Sequence, residues 1–190
     1  MPIKVLNIRI TEYLLAVMKS IEQIETERMI GRRFSTSDFD DLYRMLTDPE
    51  VTKTLGGIKT RQETEQALQR TIAHWDEHGF GMWMFYDKAT GRFAGRGGFR
   101  KLELEGKAET EIAYALMSEF WGKGYATEMA LVSKKVAFET LDLPDLVCFT
   151  MTTNNASKNV MQKIGFVYER TGEHANLPHV FYRLKNTHKL

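Results

Sequence analysis

TEIAYALMSEFWGKGYATEMA, residues 110–130, runs from an alternating segment through two glycines straight into a helical pattern. AETEIAYALM (108–117) reads as an extended segment, Gly122 and Gly124 as a tight turn, and ATEMALVSKKVAFETL (126–141) as a helix. A strand that feeds a helix through small residues lets the backbone come close to a ligand. It also leaves the first helical amides without intrahelical acceptors, and such amides can bind an anion. The same glycines suit a plain tight connection, so the flanking segments must decide between the two.

Upstream, FGMWMFYDKATGRFAGRGGFRKLEL (80–104) reads as a hairpin turning at Asp87 to Gly91. Gly95, Gly97 and Gly98 are unfavourable inside a strand, so a bulge or a close approach by another group is expected there. Residues 60–78 form a charged helix with Ala67, Leu68, Thr71, Ile72 and Trp75 on one side, ending near Gly79. A shorter helix carries Phe39, Leu42, Tyr43 and Leu46, with Thr36 or Ser37 to cap it, after a strand in ERMIGRRF (27–34). Leu14, Val17, Met18, Ile21 and Ile24 fall at helical spacing over 13–24, an amphipathic helix for the domain or a second subunit to cover. Downstream, DLVCFTMTT (145–153) reads as a strand, NASKNVMQKI (155–164) as a helix, and GFVYERTGE (165–173) with HVFYRLKN (179–186) as closing strands. No repeat or linker divides the series. The order predicts an α+β fold, one domain with a mixed, mostly antiparallel sheet and helices on both faces.

Lys and Arg number 26 against 25 Asp and Glu, so there is no cationic excess for a nucleic-acid backbone, although a local basic pocket for a small polyanion stays open. No apolar run reaches the ~20 residues that span a bilayer, and the early stretch is broken by Arg9, Glu12 and Lys19. Cys148, the one cysteine, excludes an intrachain disulfide and reads as a small buried residue. A cytoplasmic protein, without nucleic-acid or membrane partners, is the expectation. His74 and His78 are four apart with no further ligand set beside them, so solvent exposure or helix packing is expected and no metal.

The glycine turn lacks the spacing and the Lys-Ser/Thr pair of a nucleotide-triphosphate loop. A dinucleotide fingerprint would need glycine where Thr127 stands. IETERMIGRRF (24–34), the segment 110–130, and TNNASKNVMQKIGFVYERTG (153–172) together resemble the GNAT acyl-CoA N-acyltransferase superfamily, especially its branch of ribosomal-protein N-terminal acetyltransferases. The resemblance implies a GNAT domain over 25–190 after an N-terminal helical extension over 1–24, with acetyl-CoA as co-substrate. It implies that backbone groups of Leu116 and Met117 meet the pantetheine arm. Trp121, Gly122, Lys123, Gly124, Tyr125, Ala126 and Thr127 would then form the pyrophosphate loop, in the frame Trp121-x-x-Gly124-x-Ala126 where the superfamily often begins with Gln or Arg. Backbone amides would be the main phosphate ligands. Lys123 reads either as a phosphate contact or as a solvated turn lysine, and Tyr125 as a cofactor or a packing contact. Asn154 would lie beside pantetheine, with helix capping as the reading of Asn154 and Ser157 on their own.

An amine attacks a thioester only as the free base, and an alkylamine with a pKa near 10.4 is mostly protonated at neutral pH. A carboxylate on the strand entering the coenzyme site is the natural proton acceptor, direct or through water. Alternation puts Glu109, Glu111, Ala113 and Ala115 on one face, where the alanines leave room, and Thr110, Ile112 and Tyr114 on the other. Resemblance of EIAY (111–114) to the family's Glu-Ile-Gly-Tyr favours Glu111 as base or water-orienting residue, with Glu109 next. The penultimate-helix tyrosine that many members use as acid is replaced by Met161, which leaves Ser157 as orienting or relay residue, or water. Amides near Tyr114 to Leu116 are implied as oxyanion donors. The expected activity is acetyl transfer to a primary amine, of a small molecule or a protein N-terminus, by a monomer or a homodimer. The alternative is an acyl-CoA-binding module with little or no transfer.

Overall fold

The computed structural model describes residues 21–187. Its eight strands form one sheet in the order β1-β2-β3-β4-β5-β6-β8-β7. The strands are β1 (Gln23–Glu25), β2 (Met29–Arg33), β3 (Met82–Asp87), β4 (Phe93–Leu104), β5 (Lys107–Leu116), β6 (Asp145–Met151), β7 (Val167–His174) and β8 (Leu177–Lys185). Every pairing is antiparallel except β5 with β6, which meet at one register pair, Glu111 opposite Val147. Beyond that pair β5 runs on to Leu116 without a ladder partner on the β6 side, so the two strands part.

Between β2 and β3 lie α1 (Phe39–Thr47), α2 (Pro49–Thr52) and α3 (Arg61–His78). α4 (Tyr125–Lys135) connects β5 to β6 and continues into a single π turn, Val136–Thr140, while α5 (Asn155–Lys163) connects β6 to β7. α3 begins with the reciprocal Thr60–Glu63 capping box and stops at Gly79, whose φ of 71° is the left-handed conformation a helix end adopts. The helices take both faces. A Cβ on Gly97 would run into Met129 of α4, whereas the neighbouring Arg96 lines a cleft with α3. Successive strand residues point to opposite faces, so α4 and α3 sandwich β4. Met129, Phe85, Phe99, Ile112 and Trp83 are fully buried in this sandwich.

Two local expectations are corrected. The helix over 13–24 lies mainly outside the described residues, but its last residues belong to β1, with Ile24 opposite Gly31. A Cβ on Gly31 would stand 2.9 Å from Ile24 Cγ1, so a close cross-strand fit overrides the helical spacing at this end. Neither Thr36 nor Ser37 caps α1. A 3-10 turn over Thr36–Asp38 precedes the helix and is capped at Ser35, with the Asp38 carboxylate accepting from Ser35 N (2.7 Å) and Ser35 Oγ (3.2 Å); the N-cap position of α1 itself is Asp38.

Candidate active site

The strand-to-helix loop adopts a conformation that needs its glycines. Gly122 and Gly124 have φ of 71° and 83°, and a Cβ on Gly122 would meet nothing within 4 Å. The amides of Tyr125, Ala126 and Thr127 form the first turn of α4 and have no intrahelical acceptor. Amides without intrahelical acceptors at the positive end of an 11-residue helix fit a diphosphate. Acetyl-CoA, which supplies the acetyl group as a thioester, fits this loop, where Gly122 to Thr127 would hold its phosphates.

Side chains around the loop do a different job from that of the amides. Trp121 donates its indole N–H to the Leu116 carbonyl (3.0 Å), and the Met117 amide donates to Ala94 O (2.9 Å). Those two backbone groups, expected to face pantetheine, thus also fasten the loop to the sheet. The Lys123 ammonium donates to Glu119 O within the same turn (2.8 Å). The Tyr125 hydroxyl donates to Asp87 Oδ1 (2.7 Å), a bond that raises its pKa, while its ring packs on Phe120. Tyr125 thereby joins the start of α4 to the β3–β4 hairpin.

Arg28, which no local pattern singles out, ties this arrangement together. It donates to Lys123 O (2.8 Å), and its Nε and backbone N–H donate to the two oxygens of Glu128 (2.7 and 2.8 Å). Its guanidinium lies 4.2 Å from the centre of the Tyr125 ring. Glu128 is an acid in the first turn of α4, where a bound phosphate would feel its charge. Arg28 neutralises it, and although burial pushes the other way, hydrogen bonds from Thr26 first and then from Arg28 hold the Glu128 carboxyl below its ordinary pKa. Arg28→Met is expected to weaken acetyl-CoA binding roughly tenfold, about 1.4 kcal/mol, by freeing both the loop and the unpaired carboxylate. Calorimetric titration checks it, and unchanged affinity would show that Arg28 has no part in the loop's shape.

On β5 the alternation holds. Glu111 lies directly opposite Arg100 on β4, Ala113 opposite Gly98 and Ala115 opposite Arg96. Glu111 is buried at 4% exposure, at the point where β5 and β6 begin to part. Its Oε2 accepts from Arg100 Nε at 2.6 Å, and Oε1 has no hydrogen-bond partner among the described residues. Glu109 is committed elsewhere. Both its oxygens accept from Arg183 (2.7 and 3.0 Å), which also pairs with Asp145 and Glu169, and the Arg183 hydrogen bonds hold its carboxyl below the ordinary value. Of the two carboxylates, only Glu111 keeps an oxygen available.

Across the sheet, Asn154 Oδ1 caps α5 by accepting from Ser157 N (3.0 Å). Ser157 Oγ stands 3.2 Å from the hydroxyl of Tyr114, which also donates to Ser157 O. Met161, four residues further along α5 than Ser157, is fully buried. Burial first, and Cys148 beside it, raise the Tyr114 phenol well above its ordinary pKa, so it stays protonated near neutrality. Tyr114 was legible in the sequence only as a residue of the opposite face, but the fold supplies a phenol from β5 near the helix that lacks one. His74, by contrast, is a packing residue. Its Nε2 accepts from Lys101 N (2.9 Å) and Nδ1 donates to Phe80 O (2.9 Å), while burial lowers its pKa.

The described residues thus join a sheet parted between two parallel strands to a glycine loop at the start of the connecting helix. The family model described as acetyltransferase (GNAT) domain matches residues 28–167, and the chain belongs to that family. It is 28% identical to the uncharacterized protein YkkB of Bacillus subtilis, over 89% of this chain and 99% of that protein. The crystal structure of an acetyltransferase from Agrobacterium tumefaciens is 27% identical, covers 86% of this chain and 94% of its own, and superposes with a TM-score of 0.76. A ribosomal L7/L12 alpha-N-protein acetyltransferase solved with coenzyme A has the same fold (TM-score 0.72) at 18% identity, with 86% of this chain and 98% of that one covered.

Proposed function

We propose that the chain transfers an acetyl group from acetyl-CoA to a primary amine, of a small molecule or a protein N-terminus, with Glu111 as the group that accepts or orients the amine's proton. The observation that carries this reading is the buried Glu111 carboxylate at the parting of β5 and β6, with one oxygen held by Arg100 and the other unpartnered among the described residues. In the reaction a C–N amide bond forms, the thioester C–S bond breaks, and a proton passes from nitrogen to the departing sulfur. Glu111 takes up the nitrogen's proton or holds the water that does. Ser157, 3.2 Å from the Tyr114 hydroxyl, is the residue that orients or relays the proton on the thiol side.

Placement in the ribosomal-protein branch rests on the sequence resemblance and is carried as part of this proposal. Met161, buried where the resemblance leads one to look for a tyrosine, favours the second reading, an acyl-CoA-binding module without turnover. Incubation with acetyl-CoA and a panel of small amines, polyamines and peptides, following free thiol and product mass, separates the two. Enzyme-dependent N-acetylation supports the transferase; tight acetyl-CoA binding with no product across a broad panel supports the module.

A further inference from the structure

We infer that the cleft between α3 and β4 binds an anionic group of the acceptor, a carboxylate or phosphate a few bonds from the amine that is acetylated. The inference rests on the transferase reading and narrows its substrate. The cleft, about 460 Å³, is lined among others by Lys59, Arg70, His74, Arg96, Arg100 and Glu63. Four of these six carry fixed positive charge. Arg100 is paired with Glu111. Glu63, the one acid, is turned onto its helix cap, accepting from Thr60 N and Oγ at 2.7 and 2.8 Å. Lys59, Arg70 and Arg96 form no salt bridge among the described residues.

Arg96 is the decisive side chain. Its Nε is out of contact with solvent and meets no hydrogen-bond acceptor among the described residues. Burial, then the neighbouring Arg100 charge, lower its pKa to about 10, so it remains a cation at neutral pH. Arg96 as a whole is half-buried and lines the cleft, and its guanidinium offers a planar fork that matches carboxylate and phosphate oxygens. Its location suits an acceptor. Arg96 stands opposite Ala115, at the level where β5 and β6 have parted, and four residues along β4 from the Arg100 that holds Glu111, about 13 Å of strand. The small side chains of Ala113 and Ala115 leave that face open. The phosphates of acetyl-CoA do not explain the charge, since their loop leads into α4 on the opposite face of β4.

The test compares 3-aminopropanoate, 2-aminoethyl phosphate and the neutral 3-aminopropanamide, both as acetyl acceptors and by calorimetric binding to the acetyl-CoA-loaded protein. A preference of roughly tenfold or more for one or both anions is expected; which of the two wins tells carboxylate from phosphate. In Arg96→Met that preference is expected to fall roughly 10–100-fold, with the melting curve and acetyl-CoA affinity reporting whether the fold survived. Arg70→Ala, on an exposed helix position, gives a smaller fall and covers the case in which Arg96→Met does not fold. Equal handling of the three amines, preference for the amide, or no detectable binding of either anion would overturn the inference while leaving the transferase in place. If no amine in any panel is acetylated, the transferase reading falls, and calorimetric binding of the anions still decides whether the cleft is an anion site.

Discussion

Glu111→Gln is expected to lower kcat/KM for acetyl transfer by roughly 10²–10⁴-fold, the contribution of a positioned general base. The substitution preserves size and removes only the proton-accepting charge. Acetyl-CoA affinity is expected to stay within about threefold of the native value, under 1 kcal/mol, because the phosphate loop is fastened by Trp121 and Arg28 rather than by Glu111. The fold should tolerate the loss of the ion pair. Arg100 is 52% exposed on its side chain and can rehydrate once its partner is neutral. Glu109→Gln is the contrasting variant, since Glu109 is bound at both oxygens by Arg183; it should lower the melting temperature and spare most of the rate. Steady-state rates over a pH series, together with calorimetry, decide the matter. A near-native rate for Glu111→Gln would remove Glu111 from the chemistry and leave water or the acceptor's own anion as base. A joint loss of rate and cofactor affinity would mean that the Glu111–Arg100 pair shapes the site rather than acting in it.

What could be read in advance follows the range of the forces involved. The β3–β4 hairpin, the stop at Gly79 and the helix after Gly124 depend on residues a few positions apart, so pattern and turn chemistry were sufficient. The face shared by Glu111, Ala113 and Ala115 was legible because strand alternation is local. Features set by distant partners were not. Ile24 reads as helical until Gly31 and Phe85 make a cross-strand slot for it. Arg28 lies a hundred positions before Glu128, and nothing around it announces that it stabilises the phosphate loop. Arg96 sits among glycines whose purpose the sequence leaves open, and its missing partner becomes visible only when α3 is laid over β4. The lone pair of candidates Glu109 and Glu111 was likewise separated only by Arg183, which arrives from β8.

Gly98→Ala is expected to destabilise the fold by about 3–5 kcal/mol, combining strain at a glycine-only backbone angle with overpacking. Gly98 has a φ of 141°, which an L side chain rarely adopts. A Cβ there would collide with the Gly81 carbonyl oxygen and stand 2.8 Å from both Met82 Cα and Trp83 Cε3. Two of those three atoms are backbone of the strand region that pairs with Gly98, so the clash is relieved only by moving β3 away from β4. At Gly97 the obstruction is different in kind. The added methyl would meet Sδ and Cγ of Met129, a flexible side chain that can turn aside, although full burial leaves it little room. Gly97→Ala should therefore cost less, about 1–3 kcal/mol. Gly106, with φ of 77° and nothing within 4 Å of its Cβ, isolates the backbone strain alone and should cost about 1 kcal/mol. Urea unfolding of the three variants gives the order directly. Equal destabilisation at Gly98 and Gly106 would show that the close approach of β3 does not constrain position 98. The predicted order would establish that β4 carries glycine at position 98 so that β3 can pack closely against it.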